Sequence, residues 1–139
     1  MQLNPNEVIK RGIVTGLIDV DKQVQQVGID LTLREKTVIL QGEYVNVQVN
    51  EKFDMQNTFG LIRVRSSLSR MGVFISSGVY DPGFKGPGGV SMYNMSDDPI
   101  VLQENERIAQ IIVFTADAAS EYDGHYNHTD KIESKIVGG

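Results

Sequence analysis

Arg65, Ser66 and Ser67 stand together in the sequence, and a second cation follows at Arg70. A planar guanidinium offers paired, charge-assisted hydrogen bonds that match phosphate oxygens, and adjacent hydroxyls donate without adding an opposing charge. A short apolar run, Val73-Phe74-Ile75, then leads into Gly78-Val79-Tyr80-Asp81-Pro82-Gly83-Phe84. Asp81 brings a carboxylate to a tight turn, where it can take a proton from water. The same Asp-Pro-Gly is also ordinary turn chemistry: Asp suits position i, Pro sets φ at i+1, and Gly allows positive φ at i+2. Arg-Ser-Ser is equally at home in exposed loops. Local chemistry alone leaves both readings open for each segment.

These residues need a scaffold, and the pattern around them is mostly of period two. Ile29, Leu31 and Leu33 alternate with Asp30, Thr32 and Arg34. Val38-Ile39-Leu40, Tyr44 to Val49, Leu61 to Val64, Val90 to Tyr93, Ile100 to Leu102 and Ile108 to Phe114 follow, with Gly, Asn and Asp between them. Many short strands at regular spacing predict a sandwich or barrel. Near the N-terminus, Asn4 can cap a helix, Pro5 fits its first position, and Glu7 sits where a capping box places an acid. Val8, Ile9 and Ile13 give that helix one apolar face, and Gly12 and Gly16 limit its length. The expectation is an all-β, distorted jelly-roll-like β-barrel with one short N-terminal helix. With 139 residues, the chain reads as one domain over 1–139, with a tail from about 116 onward.

Composition narrows the chemistry. The net charge is −5, from 13 Lys and Arg against 18 Asp and Glu, and no basic cluster occurs. Direct nucleic-acid binding is therefore not expected. An acidic protein that handles a polyanionic nucleotide needs local cations and a metal ion. Cysteine is absent, which excludes disulfides, thiolate metal sites and cysteine catalysis. The opening MQLNPNEVIKRG has no apolar signal core and no run reaches membrane-spanning length, so a cytoplasmic protein without membrane contact is the expectation.

Four segments in order resemble the dUTPase and dCTP deaminase superfamily. RSSLSRMG (65–72) resembles its phosphate-binding motif, and GVYDPGFKG (78–86) resembles its nucleoside-binding hairpin. ERIAQII (106–112) resembles its third signature and QVQQVGIDLTL (23–33) its first. The N-terminal helix is similar to that of dCTP deaminases. The resemblance implies the same barrel, and it implies a homotrimer with sites at subunit interfaces. It also implies a triphosphate held by Arg65, Ser66, Ser67, Arg70 and Gln110, and a nucleoside held at Gly78, Tyr80 and Phe84. Phe84 stands where dUTPases usually carry Tyr; packed on the deoxyribose, it would exclude a 2′-hydroxyl, although a core Phe is an equal reading. Asp30 alternates with Ile29 and Leu31, so alone it reads as a solvent-facing residue; the resemblance implies a carboxylate near a metal ion and its waters. Gln110, alone, reads as a satisfied core amide or an edge residue. Arg107 reads as structural, paired with Glu104 or Glu106.

The superfamily has two chemistries. Deamination of dCTP requires a proton shuttle, a Glu that the family places ten residues after the hairpin Asp. Ten residues after Asp81 is Ser91, and no Asp or Glu occurs between Asp81 and Asp97. A serine hydroxyl without a nearby His cannot do that work near neutral pH. Hydrolysis of dUTP needs a positioned water, one base (Asp81), cations and Mg²⁺, which prefers phosphate oxygens and waters. The expectation is a Mg²⁺-dependent dUTP diphosphatase giving dUMP and pyrophosphate. The alternatives are dCTP deaminase, opposed by Ser91, and a catalytically weak nucleotide-binding or regulatory protein on the same scaffold. Arg70 and the QVQQVGIDLTL segment match the deaminase pattern more than the dUTPase one. The tail, EYDGHYNHTDKIESKIVGG, lacks the glycine-rich Arg-Phe arm of most trimeric dUTPases. Tyr122 to Tyr126 is closer to the ending of some deaminases. His125 and His128 without further ligands read as a polar tail rather than a metal pair.

Overall fold

The long strands alternate in burial, and that alternation sets the architecture. The computed structural model describes residues 1–116. Its elements are α1 (Pro5–Lys10), β1 (Val14–Thr15), α2 (Val20–Gln23), β2 (Ile29–Thr32), β3 (Thr37–Ile39), β4 (Tyr44–Asp54) and β5 (Thr58–Val64). They continue with α3 (Ser66–Arg70), β6 (Val73–Ile75), β7 (Val79–Tyr80), β8 (Lys85–Asn94), β9 (Ile100–Leu102) and β10 (Arg107–Thr115). In β4, Val47, Val49, Glu51 and Phe53 turn inward while Asn46 and Lys52 face out. β10 likewise buries Ile111 and Val113.

One sheet runs β1-β4-β8-β6, a second runs β2-β10-β5-β7, and β3 pairs with β9. Every pairing is antiparallel. The core fills with Ile29, Leu31, Phe53, Met92, Ile108 and Ile111, each 2 % exposed or less. The expected all-β, jelly-roll-like fold is the observed one.

α1 forms as its residues dictate. Asn4 accepts from the Asn6 N–H at 2.9 Å, Pro5 opens the helix, and Gly12 ends the turn at φ +72°. Glu7 departs from the capping-box expectation: its Oε1 meets Arg11 Nε at 2.9 Å, one turn on. Two further short helices, α2 and α3, were not legible, because four or five residues are too few to show a helical period.

A buried polar knot joins the sheets. Glu51 is fully buried. Its Oε1 accepts from the Thr32 N–H at 2.8 Å, and its Oε2 from Thr32 Oγ1 at 2.6 Å and Gln23 Nε2 at 2.9 Å. Gln23 Nε2 also donates to the Asp30 carbonyl at 2.8 Å. Gln23 thereby ties α2, and Thr32 ties β2, to the centre of β4.

Candidate active site

Asp30 pairs with Gln110 across β2 and β10, and a break in register falls between Arg107 and Ala109. In a regular strand, residues three apart point to opposite faces. The irregularity brings Arg107 and Gln110 to one side, and both reach Asp30. Asp30 Oδ2 lies 3.2 Å from Arg107 Nη1 and 3.5 Å from Arg65 Nε; Oδ1 accepts from Gln110 Nε2 at 3.3 Å. Arg65 Nη1 also donates to the Arg107 carbonyl at 3.1 Å, and Arg107 Nη1 to the Lys22 carbonyl at 2.9 Å. Burial pushes the Asp30 carboxyl above its ordinary value. The Arg65 charge first, then the Gln110 hydrogen bond and the Arg107 charge, offset this in part.

Two expectations change here. Asp30 is 2 % exposed rather than solvent-facing, because the two guanidiniums and Gln110 cover the face that alternation turns away from the core. Arg107 is structural as expected, but its partner is Asp30. Glu106 instead accepts from the Gln103 N–H at 2.9 Å.

A cavity of about 290 Å³ opens beside this cluster, lined by Gln25, Asp30, Val64, Arg65, Ser66 and Gln110. Three of the residues expected at a phosphate therefore meet in one place, at the first turn of α3 and the middle of β10. Gln25 was missed, although it lies within the 23–33 motif; its side chain donates to the Lys22 carbonyl at 2.7 Å. Gly28 makes room for the arrangement, since a Cβ there would stand 2.8 Å from Gln110 Cγ. Ser67 and Arg70 are exposed on α3 and do not line the cavity. A larger groove of about 770 Å³, walled by Arg34, Lys52, Asp54 and Lys85 among others, holds none of the expected site residues.

The hairpin residues gather elsewhere. The Phe84 N–H donates to the Asp81 carbonyl at 3.1 Å and Gly83 takes φ +84°, as the turn chemistry predicts. Asp81 is exposed, and a Cβ at Gly78 would meet nothing within 4 Å. Tyr80 and Phe84 serve the fold within this chain. The Tyr80 ring packs edge-on to Phe53 and Phe84, with centroids 4.7 and 4.9 Å away. Its hydroxyl accepts from the Gly89 N–H and donates to the Gly89 carbonyl, both at 2.9 Å. Phe84 is 7 % exposed. Asp81, Gly78, Tyr80 and Phe84 do not line the cavity beside Arg65.

Burial pushes the Tyr80 phenol up to about 12, and the Gly89 bond offsets this only partly. The folded value lies above the ordinary 10.0, so the phenol's contribution is full below pH 10 and is lost as pH rises toward 12. Folding stability is expected to fall by up to about 2–3 kcal/mol across that window. Urea denaturation at stepped pH measures it, and Tyr80→Phe should remove that part of the slope. An identical slope in the variant would assign the loss to other tyrosines.

Ser91 lies on β8 among neutral groups. Its N–H donates to Ser77 Oγ at 2.9 Å and its Oγ to Asn46 Oδ1 at 2.6 Å. Side-chain hydrogen bonds with Ser91 and then Ser76 hold the Tyr44 phenol below its ordinary value. No carboxylate from another strand is among these partners. Met71, Phe74 and Tyr93 are exposed apolar residues, and Phe74 pairs with Tyr93 across β6 and β8. His125, His128 and the tail lie outside the described residues.

Comparison with known proteins gives four matches. The family described as dCTP deaminase-like matches residues 8–116. A dCTP deaminase of Pyrococcus furiosus is 33 % identical over 107 residues, covering 75 % of this chain and 69 % of that protein. Among solved structures, the native EIAV dUTPase superposes with a TM-score of 0.67 at 24 % identity, covering 84 % of this chain and 98 % of that one. The dCTP deaminase of Agrobacterium tumefaciens gives 0.67 at 18 % identity, covering 78 % and 46 %. The two structures speak for the fold.

Proposed function

The chain belongs to the dCTP deaminase-like family, within a superfamily of nucleotide-processing enzymes, and from that premise we propose that it is a dUTP diphosphatase. The observation that carries the reading is Ser91: a hydroxyl among Ser77, Asn46 and Tyr44, where deamination requires a carboxylate. The likeness in sequence to a dCTP deaminase favours the second reading, deamination, and the test below separates the two.

In this reading Arg65, Ser66 and Gln110 hold the triphosphate, with Ser67 and Arg70 at its margin. A water attacks the α-phosphorus, Asp81 accepts its proton, and the bond to the bridging oxygen breaks. The products are dUMP and pyrophosphate. Phe84, Tyr80 and the open backbone at Gly78 shape the nucleoside side. Asp81 does not line the Arg65 cavity within one chain, which supports a homotrimer in which a second copy completes each site.

Among the described residues no three His, Cys, Asp or Glu side chains group together, and the Asp30 oxygens already face Arg65, Arg107 and Gln110. The described residues therefore fit Mg²⁺ carried on the triphosphate rather than an ion caged by their own side chains. Bound there, the ion would neutralise charge on the phosphate oxygens.

Product analysis with dUTP and dCTP, each with Mg²⁺ and with chelator, tests the reading. Mg²⁺-dependent dUMP and pyrophosphate from dUTP, with dCTP intact, is the expected result. Deoxyuridine nucleotides arising from dCTP would overturn it in favour of deamination. Saturable nucleotide binding with no turnover of either would overturn it in favour of a regulatory protein.

A further inference from the structure

We propose that Asp30 is a positioning residue of the anion cavity, whose carboxylate holds Arg65 and Gln110 in the orientation that receives phosphate, with or without a metal ion. This rests on the proposed triphosphate site and assigns a role inside it. The resemblance of the 23–33 segment implies a different task for Asp30, beside a metal and its waters.

The geometry points to the positioning role. A carboxylate has about four lone-pair directions, and three partners already approach this one: Arg65, Arg107 and Gln110. Arg65 has five N–H groups; one faces Asp30 and another bonds the Arg107 carbonyl, which leaves three for a ligand. Gln110 gives one amide hydrogen to Asp30 and keeps the other. Both side chains line the cavity. A long side chain that is only partly covered, as Arg65 is at 30 % exposure, loses rotamer freedom when it binds. The contact with Asp30 imposes that order beforehand.

The carboxylate is itself braced. The Asp30 backbone carbonyl accepts from Gln23, and Gln23 and Thr32 are both bonded to buried Glu51. Arg107 Nη1 meets the same Oδ2 and is anchored at the Lys22 carbonyl. Arg107 does not line the cavity, so its guanidinium balances the buried charge while Arg65 faces the ligand.

The test is binding of inorganic tripolyphosphate by calorimetry in excess chelator, on the wild-type chain and on Asp30→Asn, with melting curves to confirm folding. The variant is expected to bind at least about tenfold more weakly. With dUTP, its KM should rise by a similar factor, while kcat and the Mg²⁺ concentration for half-maximal rate stay within about twofold. Tripolyphosphate affinity unchanged in Asp30→Asn would overturn the proposal, and an accompanying rise in the Mg²⁺ requirement would assign Asp30 to the metal. Asp30→Glu guards against a folding failure, because it keeps the charge between the two guanidiniums while displacing the oxygens. It too should weaken tripolyphosphate binding, and full affinity in it would also overturn the proposal. Wild-type protein that binds tripolyphosphate in an Asp30-dependent way yet hydrolyses no nucleotide would sink the diphosphatase reading alone. Turnover of dUTP without metal-free tripolyphosphate binding would sink this one alone.

Discussion

Asp81→Asn is expected to lower kcat for dUTP by about 10²–10⁴-fold, the usual effect of losing a general base, while nucleotide affinity stays within a few-fold. Asn suits the first position of a turn as well as Asp does. The backbone bond from Phe84 to the carbonyl of residue 81 is independent of the side chain. The hairpin should therefore keep its shape, and only the proton acceptor is lost. Arg65→Ala is the complement, since it removes a cation from the cavity on the other part of the site and should raise KM. Because Asp81 does not line that cavity within one chain, mixing the two impaired variants under subunit exchange should restore part of the activity at low dUTP, at sites that draw one good residue from each. Steady-state rates and equilibrium binding of a non-hydrolysable dUTP analogue check the first variant. Full turnover in Asp81→Asn would remove it as the base.

The largest effect on stability is expected at Glu51. Glu51→Ala leaves the Thr32 N–H, the Thr32 hydroxyl and one hydrogen of the Gln23 amide without their acceptor in a fully buried place. Each orphaned buried donor costs about 1–3 kcal/mol. With some relief from rearrangement, a loss of about 3–5 kcal/mol is expected, a large share of the ~5–15 kcal/mol that holds a domain folded. Glu51→Gln keeps the volume but turns an amide NH₂ toward donors, and should cost less. Urea midpoints of the three proteins measure both. A loss under about 1 kcal/mol in the alanine variant would mean that water replaces the carboxylate and that the knot does not hold the sheets.

Much of the architecture was legible because it depends on local pattern. Val47, Val49 and Phe53 alternate with polar neighbours, and β4 follows. Asn4-Pro5 starts a helix and Asp-Pro-Gly makes a turn, because capping and φ restriction act within four residues. The order of the motifs was enough to indicate the family. The short helices α2 and α3 were not legible, and neither was the packing of the Tyr80 ring against Phe53 and Phe84, since ring contacts between distant strands leave no periodic trace.

By itself, the sequence determined the strand-rich class, the N-terminal helix, the hairpin turn and the absence of an acid near Ser91, all properties of neighbouring residues. Only the tertiary structure decided that Asp30 is buried, that Arg107 answers it rather than Glu106, and that Arg65, Ser66 and Gln110 share a cavity. The physical reason lies in the register irregularity of β10. A one-residue shift between Arg107 and Ala109 puts two side chains of opposite parity on one face, opposite a carboxylate nearly eighty residues away in the chain. Parity along a strand is a local rule, but where a strand breaks it is set by the partner it must pair with.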